Sequence, residues 1–283
     1  MTLIADTSAD KWKTSDRTAA DRKWGSQWQT FTSFATQALV HALQPRPGMR
    51  VLDLACGSGD PAIFIASAVL PGGHVTAIDM SADILQLGAD KARAAGLANL
   101  SFEQADAQSL PFSDGSFDAV TCRFGVMFFP DCVAALRQAL RVLRPAGRIV
   151  LVAWGPYSQG YFQHTIGFLR AHAGLSDEIL EADVPQAYRF SRPERLAAKL
   201  NEAGFVDVQS EFRHGDAVWP GDAVSLWQHF LDTSQTFRPY FLRLSEPQQK
   251  KMAAEVMRQV SAHFDGAVIR LKGTIVLATG IRP

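Results

Sequence analysis

Residues 51–62 read V-L-D-L-A-C-G-S-G-D-P-A, and the reading of this stretch decides the fold. Val51, Leu52, Leu54 and Ala55 make an almost wholly apolar run, as in a central parallel strand covered on both faces, and the run breaks at Gly57. Gly57 and Gly59 leave room for a ligand against bare backbone. Pro61 suits a helix start, where its missing N–H would have no intrahelical partner. Strand, glycine loop and helix in this order begin a nucleotide-type site.

The acids in the stretch bear on the ligand. A dinucleotide brings a pyrophosphate to the helix N-terminus, and Asp53 and Asp60, flanking the glycines, are poor neighbours for it. S-adenosylmethionine (SAM) has no phosphate and offers a sulfonium, an amino acid end, a ribose diol and an adenine, which acidic neighbours suit better. The spacing alone leaves NAD open, because Gly57, Gly59 and Ala62 also fit G-x-G-x-x-A with Asp79 about 20 residues on.

A chain of 283 residues, 47% hydrophobic and 20% charged, can bury a globular core with a cap. Its 28 basic and 28 acidic residues give no electrostatic reason for a nucleic-acid or membrane-surface partner, so a small molecule is expected. Cys56, Cys122 and Cys132 are too few for a disulfide framework and lack zinc-ligand spacing. No metal is expected, and a reducing cytoplasm fits. No signal-type leader or apolar run near about 18 residues occurs, so neither secretion nor membrane insertion is expected.

Residues 1–20 are polar and read as a mobile arm, with 21–283 as a single domain. Trp24, Trp28, Phe31, Ala35, Ala38 and Ala42 recur at helical steps. Their stripe either packs on the core or lets Trp24 or Trp28 close over a ligand. Strands are expected at 75–78, ending on Asp79, at 100–105, ending on Asp106, at 117–122 and at 148–153; helices at 61–69, 82–95 and 131–143 alternate with them. This is an α/β doubly wound parallel sheet. Further on, 162–172 and 193–203 read as helices and 205–212 and 268–279 as strands, with aromatic cap insertions at about 155–188 and 214–265.

V-L-D-L-A-C-G-S-G at 51–59, Asp79, A-D-A at 105–107, L-P-F-S-D-G-S-F-D at 110–118 and L-R-P-A-G-R at 143–148 together resemble class I SAM-dependent methyltransferases. The nearest group is the small-molecule enzymes similar to ubiquinone and menaquinone C-methyltransferases. The likeness is echoed by F-S-R-P-E-R-L-A-A-K-L-N-E-A-G-F at 190–205. It implies a seven-stranded, mostly parallel Rossmann-like sheet with one antiparallel strand, and SAM as cofactor, with S-adenosylhomocysteine as product. Carried onto this chain, it implies that Gly57 and Gly59 touch the amino acid portion of SAM while Asp53 organises its amino group. Asp79 would take both ribose hydroxyls, Met80 the adenine face, and Asp106 with the Ala107 backbone the adenine edge. Arg123 and Phe124 would contribute mainly backbone. Ala55 and Ala146 stand where relatives often have glycine, with little expected loss.

The loop R-F-G-V-M-F-F-P-D at 123–131 carries aromatic and thioether side chains where relatives often have histidines. A base is not evident there, and none of His164, His172, His214 and His229 is singled out as one. Trp24, Trp28, Met127, Phe128 and Trp154 are the candidate acceptor pocket. The expected reaction is in-line methyl transfer to a small hydrophobic acceptor. Two other classes stay open, an NAD-dependent oxidoreductase and a non-catalytic SAM-binding interaction module, and the aromatic insertions also suit a homodimer interface.

Overall fold

The computed structural model describes residues 15–156, 158–160, 162–167, 186–234 and 237–283. The apolar run becomes β1 (Arg50–Leu54), flanked by β2 (His74–Asp79) and β4 (Phe117–Arg123); β3 (Leu100–Gln104) and β5 (Leu143–Trp154) extend the parallel sheet outward. β6 (Val206–Trp219) and β7 (Ile269–Ile281) complete the order β3-β2-β1-β4-β5-β7-β6, with β7 antiparallel to both neighbours. The chain reverses its strand order between β1 and β4, which is where an open α/β sheet makes its binding crevice.

Helices cover both faces because the strands are apolar on both. Leu52, Leu54 and Val120 pack with α5 (Cys132–Val142) and α6 (Pro193–Ala203). Val51, Val75 and Ala77 pack on the other face with α2 (Ser33–Leu43) and α3 (Ala62–Ala68). A third apolar cluster is aromatic and lies in the cap, around Trp219, Trp227, Phe230 and Phe237, on α7 (Ala223–Thr233) and α8 (Glu246–Ser261). Trp154, the last residue of β5, packs against all three clusters. α4 (Ala82–Ala94) completes the crossover between β2 and β3.

Five expectations are corrected. The single amphipathic helix is two, α1 (Ser15–Phe31) and α2, broken at Thr32, whose hydroxyl donates to Trp28 O at 2.8 Å. α1 also takes in residues 15–20, read from composition as arm; residues 1–14 lie outside the described residues. β6 runs on to Trp219, so the second insertion begins after it rather than at 214; the middle of this strand is exposed, and only Ala217 and Trp219 are buried to mark its end. The strand expected at 148–153 begins earlier, in an irregular start of β5 at Leu143, where Phe117 pairs Leu143 and Ala119 pairs Arg148. Of the helix expected at 162–172, the described part is a π-helical turn, Gln163–Gly167, and His172 lies outside the described residues.

Candidate cofactor and acceptor site

The ends of β1, β2 and β4 meet at three acids with different surroundings. Asp53 is wholly buried and paired in register with Thr121, whose hydroxyl donates to Oδ1 at 2.7 Å, while Oδ2 has no partner. Burial pushes its carboxyl up to about 7, against the opposing pull of the Thr121 hydrogen bond and the Arg123 charge. Asp79 is buried at the end of β2 and faces the glycine loop. Its Oδ2 accepts the Gly57 N–H at 3.0 Å, and its Oδ1 accepts the Ser81 N–H at 3.2 Å and Arg17 Nη1 at 3.4 Å.

Asp60 is different. Arg123 Nη2 stands 2.9 Å from its carboxylate and the Thr36 hydroxyl donates to it at 3.1 Å, so its charge is neutralised within the fold. Arg123 also donates to Thr32 Oγ1 at 2.7 Å and to the Asp60 carbonyl. Its side chain thus fastens α2 to the glycine loop. Of the two acids flanking the glycines, only Asp53 keeps an uncommitted oxygen.

The loop itself needs its glycines. Gly57 and Gly59 have φ of 55° and 100°, and a Cβ on Gly59 would lie 2.9 Å from Ile63 Cδ1. Ala55 also sits in the left-handed region, at φ 52°, as does Ala146 at 61°. Both departures from glycine therefore carry strain, of order 1 kcal/mol each. Ala55 creates a further demand: a Cβ on Gly125 would lie 2.5 Å from the Ala55 Cβ. At the next strand end Asp106 accepts the Gln108 N–H at 2.9 Å, Ala107 is buried, and Met80 is half-buried.

α1 roofs this side with charges that sequence reasoning missed. Arg17 reaches Asp79, and its Nη2 would be 3.5 Å from a Cβ on Gly57. Asp21 accepts the Ser58 hydroxyl at 3.0 Å and lies 3.2 Å from Lys91. A Ser/Asp/Arg-rich first turn is a helix-start pattern, and it was the available signal.

Across the strand ends the surface turns aromatic. Phe124 follows β4 at φ 57° and stacks on Trp154 at 3.7 Å and 13°. Trp154 meets Trp28 edge-on at 5.8 Å, and Trp28 stacks on His229 at 5.0 Å. Trp24 is a cap-core residue instead: it is buried, and its indole N–H donates to Asp232 at 2.8 Å. Met127 is fully buried in the main core rather than on an open floor, and Phe128 is half-buried. Arg189, also missed, holds the loop after β4 by donating to the carbonyls of Val126 and Phe129 at 3.0 and 2.6 Å.

His229 lies among Trp24, Trp28 and Trp219 with its Nδ1 unpartnered. Burial pushes its pKa down to about 3, so it is neutral at working pH and a weak base. His164 bonds Gln259 at 2.6 Å and His214 bonds Thr274 at 3.0 Å. All three cysteines are free and buried, and burial raises each thiol, Cys132 to about 11. Among the described residues no group of His, Cys, Asp and Glu is gathered for a metal, and no helix is long and apolar enough to cross a membrane. A broad groove of about 1090 Å³ between α2 and β6 contains none of the expected site residues.

The cofactor implied by the resemblance fits this donor set: the orphaned Asp53 oxygen matches an ammonium group, and the Asp79 carboxylate at a glycine loop matches a diol. Comparison with known proteins points the same way. A model of the ubiE/COQ5 methyltransferase family matches residues 27–218. Nocamycin O-methyltransferase of Saccharothrix syringae is 31% identical over 257 residues, which cover 87% of this chain and 90% of the relative. A demethylmenaquinone methyltransferase of Geobacillus kaustophilus is 34% identical over 179 residues, 60% of this chain and 76% of the relative. Among solved structures, the YcgJ protein of Bacillus subtilis shares the fold with a TM-score of 0.57 at 22% identity, covering 88% of this chain and 98% of that one.

Proposed function

This chain belongs to the ubiE/COQ5 methyltransferase family as a SAM-dependent methyltransferase of small molecules, and on that premise we propose that its acceptor is largely hydrophobic and takes the methyl group by in-line displacement. The oxidoreductase alternative falls with the family match. SAM supplies a methyl carbon already activated by the sulfonium. What remains for the protein is to align the acceptor, exclude water and hold the cofactor.

Asp53 offers its open oxygen to the amino group and Asp79 its carboxylate to the ribose hydroxyls. Gly57 and Gly59 admit the amino acid portion against the backbone. Met80 lines the adenine face, Asp106 and the Ala107 N–H its edge, and the Arg123–Phe124 backbone closes the pocket at β4. The observation carrying the acceptor reading is the continuous wall of Phe124, Trp154 and Trp28, with Phe162 edge-on to Trp154 at 5.0 Å. Such a wall binds an apolar body by area and stacking. The histidine against this wall, His229, is held a weak base by burial, which fits an acceptor that reaches the site already ionised or reacts without losing a proton first.

The test is transfer of labelled methyl from SAM to acceptor panels matched in nucleophile and graded in apolar area. Turnover should rise with apolar area, and Trp28→Ala should raise the acceptor KM while leaving S-adenosylhomocysteine affinity unchanged. Preference for the most polar members would overturn the reading.

A further inference from the structure

Arg189, which holds the loop after β4, carries a charge that the fold does not answer. Its Nη2 donates to the carbonyls of Val126 and Phe129 at 3.0 and 2.6 Å, its Nε is buried without a partner, and its guanidinium lies over the Phe190 ring at 4.8 Å. Among the described residues no carboxylate pairs with it. The Cys132 thiol beside it is no counter-ion, because burial raises that thiol to about 11, and burial likewise pulls the Arg189 pKa down. Arg123 shows the contrast: its charge is answered inside the fold by the Asp60 carboxylate at 2.9 Å. A guanidinium out of water with only carbonyls for partners is costly to keep, and an anion arriving from outside would explain its place.

Its position says which molecule brings that anion. Tyr188, the residue before it, meets Phe162 edge-on at 5.5 Å, and Phe162 meets Trp154 of the aromatic wall at 5.0 Å. The carbonyls that Arg189 holds belong to the loop on which Phe124, stacked on Trp154, also lies. Arg189 thus joins the two chain segments that border the wall, and its side chain is half-buried rather than sealed. We infer that Arg189 is a specificity-determining residue that receives an anionic oxygen of the methyl acceptor, so that the acceptor class is an apolar body bearing a carboxylate, phenolate or enolate. A planar fork with an N–H to spare suits such an oxygen better than it suits a neutral amide or alcohol. An acceptor that arrives ionised also needs no base at the wall.

This inference rests on the proposed acceptor wall, and the experiment separates the two. Calorimetric titration at saturating S-adenosylhomocysteine compares 2-naphthoate with 2-naphthamide, an anion and a neutral molecule of one shape, on the wild type, Arg189→Gln, Arg189→Lys and Trp28→Ala. The wild type should favour naphthoate by about tenfold, the scale of one charge-assisted pair, and Arg189→Gln should bring the ratio to within about twofold by weakening naphthoate. Arg189→Lys should recover much of the preference, and Trp28→Ala should weaken both probes alike. A readout that needs no variant to fold is the Arg189 Nε–H resonance of the wild type, which should move with naphthoate and stay with naphthamide. A wild-type ratio within about twofold, a preference that survives in Arg189→Gln, or a resonance indifferent to naphthoate overturns the assignment of Arg189. If neither probe binds the wild type, or if Trp28→Ala leaves both affinities intact, the acceptor wall itself is wrong.

Discussion

In the proposed reading the glycine-loop side of the strand ends relies on a few polar atoms: the Asp53 oxygen that has no partner in the fold and the Asp79 carboxylate, with Arg17 against it. On the cap side it is spread over ring faces, in which Trp28, Trp154, Phe124 and His229 touch one another at 3.7 to 5.8 Å and much of the contact is apolar area. The first arrangement recognises a fixed ligand by charge and hydrogen bonding, so each group is irreplaceable. The second recognises shape and apolar area, so losses are graded and shared. On the proposed reading, one chain thus holds a strict site for the cofactor beside a permissive one for the acceptor.

The largest effect should come from the strict side. Asp79→Ala should weaken S-adenosylhomocysteine by about a hundredfold, two lost hydrogen bonds to a charged group, in a titration where Trp28→Ala stays within about twofold. Comparable losses in both variants would erase the contrast between the two sides.

Asp53 sharpens it through pH. Its folded pKa near about 7 exceeds the ordinary 3.8, so the folded chain keeps a proton that the unfolded chain gives up. The stability it contributes is complete below about 4 and is lost as pH rises through about 7. Asp53→Asn should therefore raise the melting temperature of the ligand-free protein at pH 8 and change it little at pH 4, while weakening S-adenosylhomocysteine. A variant less stable at pH 8 would mean that the buried acid is not under strain.

The cap should respond with the opposite sign. His229 has a folded pKa of about 3 against 6.5, so the unfolded chain binds the extra proton. Its share of stability is intact above about 6.5 and declines as pH falls toward about 3. Tryptophan fluorescence should report acid loosening of the cap in that window, and His229→Leu should flatten the slope. The smallest effect belongs to neither side: Ala146→Gly, at an exposed left-handed position, should stabilise by about 1 kcal/mol in denaturant unfolding with activity unchanged.

What was legible in the chain was what is local in it. The glycine loop, Asp79 at the end of β2 and Asp106 just past β3 follow from short patterns, and the expected sheet followed with them. Arg17 was hidden because polar composition looks the same in an arm and in a charged helix roof. Gly125 was hidden because its need arises only when Ala55 is brought beside it. Arg189 was hidden because its partners are backbone carbonyls some 60 residues earlier in the chain. Trp24 and Trp28 share a helix face and the same residue type. Trp24 packs on Trp219 and His229 with its indole N–H on Asp232 of α7, while Trp28 faces Trp154.

The β6–β7 ladder closes on Trp219 opposite Ile269, so the aromatic insertion leaves the sheet and returns to it at a single doorway. Closing a loop whose ends are already joined costs only about 0.6 kcal/mol more for each doubling of its length. Sequence between those two residues is therefore free to lengthen, shrink or be exchanged while the register of the strands that carry the cofactor groups stays as it is. In the proposed reading the insertion meets the acceptor wall through His229, which stacks on Trp28, so rewriting it would change what backs that wall without revisiting the groups that hold the methyl donor.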